Sequence, residues 1–435
     1  MRVRTVRGRS AQASREPLKA RGGGLGSEVT EGLCQPFVDF SFVTAYLDHA
    51  ATTPMHPLAV EALVAELART GNASSLHDAG RTARRVVEES RELVAARLGA
   101  RPSDVIWTAG GTEADNLAVK GLFWSRTTAE SARRRVLVSG VEHHAVLDPA
   151  FWLASQAGAE IVLLPVDPAG RLDLDALRAE LDERGDQVAL ISVMWANNEI
   201  GTVQPVAEVV ALARRYGIPV HSDAVQAAGQ LEMDFASSGV DAMTISAHKL
   251  GGPVGVGALL ARRGLELTAV LHGGGQERGV RSGTLPVAPI RSFAVAVDLA
   301  VTARPDEAVR LAGLRDGLVA GVRAAVPQAE LRGPEPGDGR LPANAHFTFP
   351  GCEGDSLLYL LDSRGIRCST GSACQAGMPQ PSHVLLAAGV SETSARGALR
   401  FSLGRTSMQA DVDALLAALP EVVERATAAG LAASR

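Results

Sequence analysis

The chain has 435 residues, 46% apolar and 21% charged, values that exclude collagen-like, coiled-coil and wholesale disordered classes. A formal net charge of −5 argues against a protein that coats nucleic acid, and no apolar run reaches the ~18 residues needed to span a bilayer. The length predicts two domains.

The charge is unevenly placed. Residues 1–30 hold seven Lys/Arg against Glu16 and Glu28, a net of +5. This stretch lacks the apolar core of a secretory signal; its Arg and Ser content suits a transit peptide, a disordered extension or a mis-called start equally. Gly22-Gly23-Gly24 reads as linker because no strand precedes it. Residues 1–43 are therefore set outside the fold. Four cysteines in a chain this long do not make a disulfide framework, so a reducing, cytoplasmic setting is expected.

From Tyr46 onward, helix-period stretches run from Pro57 to Arg69, Ala79 to Leu98 and Glu113 to Phe123. Strand-like apolar runs follow at Val136–Ser139, Ile161–Val166, Val188–Trp195, Pro219–Ser222 and Ala242–Ser246. Amphipathic segments near Val146–Gln156, Asp173–Asp182 and Val206–Tyr216 separate them. Strands alternating with helices predict βαβ units and a mostly parallel sheet, with ligands collecting at the strand carboxyl ends. A helix over Pro286–Thr302 then leads into a smaller α+β unit from about Pro305. There, strands at Ala345–Phe349 and Leu399–Leu403 bracket a helix at Asp355–Arg364, and a helix over Ala410–Ala429 closes the chain. The expected division is 44–304 and 305–435, with the segment near 44–60 packing on the second unit.

The candidate chemistry sits just past the predicted strands. Lys249 follows Met243-Thr244-Ile245-Ser246. A lone lysine there is usually a solvated charge, but a buried one loses proton affinity and forms a Schiff base. Asp223, at the preceding strand end, is costly to bury without a cationic partner, and a protonated pyridine ring supplies one. Together they point to pyridoxal phosphate, whose ring acts as an electron sink. Gly110-Gly111-Thr112, between an apolar strand and a helix, suits its phosphate, although taken alone the turn is more often simple helix capping. His143 and His144 have no neighbouring acid or cysteine arrangement that completes a zinc site, so one of them stacking on a flat ring is the better functional reading, against a plain loop histidine. Arg400 lies within an apolar strand and should grip a carboxylate. Cys374 lies in Ser369-Thr370-Gly371-Ser372-Ala373-Cys374-Gln375-Ala376-Gly377, a Gly-rich loop with no apolar face to bury a thiol. Cys368 could pair with Cys374 or bind metal; its place after Gly365-Ile366-Arg367 favours a structural strand end.

Several motifs occur in order: Tyr46–Pro54, Gly71-Asn72-Ala73-Ser74-Ser75, Gly111-Thr112-Glu113, Glu142-His143, Asn197–Gly201, Asp223 with Gln226, Ser246-Ala247-His248-Lys249, Arg281-Ser282-Gly283-Thr284 and Gly371-Ser372-Ala373-Cys374. With them the chain resembles the cysteine desulfurases of the IscS/NifS group, in the class V aminotransferase fold. The resemblance implies an α/β, aspartate aminotransferase-like, pyridoxal-phosphate-dependent transferase fold. Its large domain carries a seven-stranded-type, mostly parallel sheet, and a smaller C-terminal α+β domain follows. It further implies Lys249 as the Schiff-base lysine and proton carrier, His143 stacked on the ring, and Asp223 on the ring nitrogen. Asn198 and Gln226 would lie beside the ring hydroxyl and the substrate. Gly111, Thr112, Ser246 and His248 would hold the phosphate, joined by Thr284 from the neighbouring subunit of a homodimer. Arg400, with Asn72 and Asn198, would bind the carboxylate of L-cysteine, and Cys374 would take the sulfur as a persulfide, releasing alanine.

The implied acceptors are iron–sulfur scaffold or tRNA-thiolation proteins. No resident metal is implied, although Cys374 of such a protein can share an iron–sulfur cluster transiently. Selenocysteine lyase, epimerase and transaminase chemistry on the same scaffold are the rival activities, and an inactive scaffold protein is the rival outside enzymes. After Cys374, Gln375-Ala376-Gly377-Met378 replaces the Ser or Thr of well-known members, which leaves the acceptor open.

Overall fold

A computed structural model describes residues 45–127, 133–337, 339–371 and 381–433. The tail, Cys34 and Cys374 with its loop lie outside these residues.

Seven strands make the main sheet: β2 (Val105–Thr108), β3 (Arg135–Ser139), β4 (Glu160–Leu164), β5 (Val188–Ser192), β6 (Val220–Asp223), β7 (Ala242–Ser246) and β8 (Gly257–Ala261), following a short β1 (Ala45–Tyr46) that lies elsewhere. Their order is β2-β8-β7-β6-β5-β3-β4. Only β8 runs antiparallel to its neighbours, so the other six end at one edge. Strands β2, β3, β5, β6, β7 and β8 are buried along their whole length, as expected for a sheet covered on both faces. Strand β8 escaped the sequence reading. Its Gly-Ala-Leu-Leu-Ala run has no alternation, and a short apolar run alone does not distinguish strand from buried helix.

A second sheet is antiparallel, β9 (Glu330–Arg332), β10 (Asn344–Thr348) and β12 (Ala398–Ser402), in the order β12-β10-β9. Strand β1 pairs in parallel with β11 (Ile366–Arg367). Ala45 and Leu47 thereby join Phe347, Phe349, Leu399 and Phe401 in a core distinct from the one beneath the main sheet.

One helix spans both cores. The sequence predicted a stop before Pro305, yet the helix runs unbroken from Val287 to Ala325 with Pro305 inside it. Ile290, Phe293, Ala294 and Val297 bury in the first core, and Leu311, Leu318, Val319 and Val322 in the second. Packing at both ends outweighs the hydrogen bond that proline removes from the middle. Among the described residues no helix is long and apolar enough to cross a membrane.

Strand β8 crosses close behind the turn that follows β2. A Cβ on Gly257 would fall 2.8 Å from Gly110 Cα and from the Ile245 carbonyl, both backbone. Gly257→Ala should therefore cost about 1–3 kcal/mol, seen as a lower chemical-denaturation midpoint than the parent's.

Candidate active site

The chain folds so that its polar residues gather where the apolar strands stop. Strand β6 ends at Asp223, and β7 ends at Ser246, followed by one 3₁₀ turn, Ala247–Lys249. Strand β2 ends at Thr108, where Gly110, at φ 150°, turns the chain into the helix Gly111–Arg126. Beyond β3, His143 caps the helix His144–Ala157. Beyond β5, Asn198 and Glu199 follow. The cavity between these ends, about 370 Å³, is lined by Gly111, Thr112, His143, Asn198, Asp223, Gln226, Ser246, His248, Lys249 and Arg400. Ten of the predicted site residues thus meet at one place.

Lys249 is held from above by the segment that follows β1. Its Nζ donates to the Ala50 carbonyl at 2.6 Å and the Ala51 carbonyl at 2.7 Å. Burial pushes the amine down to about 8, and the Arg400 guanidinium adds to this; Asp223 and Asp48 pull the other way. A useful fraction is therefore uncharged and nucleophilic near neutral pH.

Asp223 is buried at the floor, where its Oδ1 accepts from the Val225 N–H at 2.9 Å. Burial raises its carboxyl to about 6, against that N–H and the Lys249 charge. Asp115 also lines the cavity and is fully buried; burial and the Asp223 charge hold its carboxyl well above the usual range. Glu142, close by, is raised by burial and by Asp223 as well. Of the three, Asp223 is the one whose ionised form the Lys249 charge favours.

The His143 Nδ1 accepts from the Ala145 N–H at 3.1 Å, which leaves the proton on Nε2. Burial, then the Lys249, His144 and His383 charges, push this imidazole down to about 4, so it is neutral. His248 is lowered to about 4 by burial and Lys249. Gly111, Thr112, Ser246 and His248 also line an adjoining, more open cavity. Hydroxyls, glycine backbone and a helix N-terminus converge there, a donor set matched to a phosphate. A buried low-pKa amine, a buried carboxylate, a neutral imidazole and a phosphate cradle around one space fit pyridoxal 5′-phosphate. Among the described residues no His/Cys/Asp/Glu cluster could hold a metal ion.

Arg400 is nine-tenths or more buried on β12. It reaches Asp48 Oδ1 at 2.8 Å and the Asn198 carbonyl at 3.0 Å, while its Nε has no hydrogen-bond partner among the described residues. Asn72 and Thr284 are exposed and do not line this cavity. Asn72 instead accepts the Ser74 N–H in a local turn. Cys368 is buried beyond β11, and burial raises its thiol far above the ordinary range, so it is inert as a nucleophile.

The class-V aminotransferase family model matches residues 45–415. An "IscS-like cysteine desulfurase" of Mycobacterium tuberculosis is 57% identical over 390 residues, covering 90% of this chain and 99% of that protein. Among solved structures, a "NifS-like protein" superposes with a TM-score of 0.80 at 34% identity, covering 88% of this chain and 99% of its own. A structure titled "SspA in complex with cysteine" gives 0.71 at 31% identity, covering 82% and 98%. The chain belongs to the cysteine desulfurases of the class-V aminotransferase family. This family is pyridoxal-phosphate-dependent, in keeping with the cavity.

Four residues that help to build this desulfurase site were not singled out from the sequence. Asp48 braces Arg400. Buried Glu199 pairs with Ser382 Oγ at 2.5 Å. His383 meets the Glu142 carbonyl at 2.9 Å and packs edge-on against His144. Asp115 completes the floor. Asp48 and Glu199 lie within motifs that were noticed; their polar type beside apolar neighbours was the available signal.

The Lys249 amine should be half protonated near pH 8 in protein free of cofactor. Trapping of a simple aldehyde by borohydride at Lys249, followed by peptide mass spectrometry, should rise through that pH and level off. Asp223→Asn removes a charge that holds the proton on and should move the midpoint to lower pH.

Proposed function

We propose that this desulfurase takes sulfur from L-cysteine onto Cys374, using Lys249, His143 and Asp223 around pyridoxal 5′-phosphate. The observation that carries the reading is the depressed Lys249 amine sharing a buried cavity with the Asp223 carboxylate. The cofactor, held by Thr112, Ser246, His248 and the Gly111 backbone, supplies an electron sink that lowers the barrier to C–S cleavage. Asp223 would balance the ring's positive charge, and Gln226 and Asn198, which line the same cavity, would flank it. The face of His143 would lie against the ring, and its Nε2–H would serve proton transfer.

Arg400 offers its free Nε and one shared nitrogen to the substrate carboxylate, in exchange for part of its grip on Asp48. Lys249 would take a proton from the substrate and return one to the carbon that becomes alanine. The Cys374 thiolate attacks the substrate sulfur, forming the S–S bond of a persulfide as the C–S bond breaks. Cys374 lies outside the described residues, but Gly371 and His383 on either side of it line the cavity.

The partner is a second copy. Exposed Leu58, Val64 and Leu67 along one helix, with Leu76 after it, give that copy an apolar surface to cover, and exposed Thr284 would serve the neighbour's phosphate. Asn72 would act in the same shared region. The acceptor of the persulfide sulfur is an iron–sulfur scaffold or a tRNA-thiolation protein. The free, buried Cys352 and Cys368 accord with a reducing cytoplasm.

Purified protein with cysteine and a reductant should yield alanine and sulfide in equal amounts, and selenocysteine assayed alongside tests the lyase alternative. Cys374→Ser should reduce sulfide release on the order of 10²-fold, about 2.7 kcal/mol of barrier, while the cofactor's visible band persists. Undiminished turnover by that variant would exclude sulfur capture at Cys374. Arg400→Lys, which keeps the charge but loses the fork, should raise KM for cysteine about tenfold or more with the band unchanged.

A further inference from the structure

The loop from Leu271 to Gly283, whose Leu271, Val280 and Arg281 also line the more open cavity, is built under unusual constraint. It closes on itself through a Leu271–Arg281 bridge, and the Gln276 Oε1 accepts the Gly283 N–H at 2.8 Å. At its tip Glu277 and Arg278 adopt φ values of 46° and 59°, a left-handed conformation that side chains with a Cβ avoid. Such a backbone persists only where the surroundings dictate it.

Those surroundings are the two ends of the phosphate turn. Strand β2 is an edge strand, paired only with β8, so one row of its backbone groups has no strand partner. The buried Glu277 carboxylate accepts the Trp107 N–H on that row at 2.8 Å. Arg91 completes the arrangement, donating to the Val105 carbonyl at 2.7 Å and to both Glu277 oxygens at 2.9 and 2.7 Å. An ion pair thus stands in for a missing neighbouring strand, one residue before Thr108.

Past the turn, the same loop reaches back. The Arg281 Nε contacts Glu113 Oε1 at 2.6 Å, and Glu113 Oε2 accepts the Ala109 N–H at 2.8 Å. Glu113 directly follows Thr112, and Ala109 directly follows Thr108. The loop therefore grips the segment Thr108–Thr112 from its strand side through Glu277 and from its helix side through Arg281.

We infer that Glu277 and Arg281 are positioning residues for the cofactor phosphate, the loop acting as a brace that holds the phosphate turn in its binding shape. The inference rests on the assignment of Thr112 and Gly111 to the phosphate. A turn with three adjacent small or hydroxyl residues, Gly110-Gly111-Thr112, has wide backbone freedom when unsupported. Without the brace, ordering that turn is charged against phosphate binding, whereas ring contacts at Asp223 and His143 are untouched.

The test compares two probes on the full chain stripped of cofactor: pyridoxal 5′-phosphate, and pyridoxal, which lacks the phosphate. Binding is followed by the visible band that forms at Lys249. Glu277→Gln and Arg281→Gln should each weaken pyridoxal 5′-phosphate about tenfold and leave pyridoxal within twofold, with Arg281→Lys restoring much of the loss. Equal weakening of both probes, or weakening of neither, overturns the brace. If Glu277→Gln does not fold, the two Arg281 variants, which leave the buried Arg91–Glu277 pair in place, decide the question. Thr112→Ala serves as the reference: if it too leaves the difference between the probes unchanged, the phosphate assignment itself has failed; if it alone narrows the difference, the assignment stands and the brace falls.

Discussion

A lysine amine taken out of water gives up much of its affinity for a proton, and at Lys249 this loss organises everything around it. The amine is kept in place by two backbone carbonyls, at Ala50 and Ala51, which bind it without adding a full negative charge. A carboxylate in direct contact would have restored the proton and cost the site its nucleophile. Asp223 stands near enough to temper the desolvation but has its own backbone donor at Val225. Asp48, the other acid within reach, is occupied by Arg400. The balance comes from the placement of three charges and two carbonyls, and from no one of them alone.

That balance draws on widely separated parts of the chain. The main sheet supplies Asp223 and Lys249, and the segment after β1 supplies the carbonyl roof and Asp48. Strand β12 supplies Arg400. What holds these pieces in register is apolar. The long helix Val287–Ala325 belongs to both cores, and β1 is bound into the second core through Ala45 and Leu47. Gln226 ties floor to roof by donating to the Ala50 carbonyl at 2.9 Å.

Much of this could be read from residue order. Strands β3 to β7 of the main sheet announced themselves as apolar runs, and Asp223, Ser246 and Lys249 could be picked out because polar residues at the ends of such runs need a reason to be there. His143 was legible for the same reason, beyond β3. Other parts were hidden by physics that is not local. Strand β9 is three residues with one apolar side chain, and only its pairing with β10 makes it a strand. Pro305 reads as a helix stop, and only two cores pulling on the same helix keep it running. His383 and Asp115 carry no pattern of their own, and Asp48 and Glu199 only their place within a motif; each becomes part of the site through a neighbour distant in sequence. Asn72 and Thr284 were legible through resemblance alone, since within one chain they are exposed and do not line the cavity.

The parallel pairing of β1 with β11 also bears on how the protein is made. Ala45 lies opposite Ile366, and Ala50 donates its N–H to Ser402 at 2.9 Å, so the roof over Lys249 is fastened to strands that leave the ribosome near the end of synthesis. The main sheet can be complete well before then, with Asp223 and Lys249 in place and no lid above them. Contacts this distant in sequence close late and slowly. Before they close, Lys249 would lack the Ala50 and Ala51 carbonyls that hold it. The roof over Lys249 is thus the part of the site built from pairings between opposite ends of the described chain.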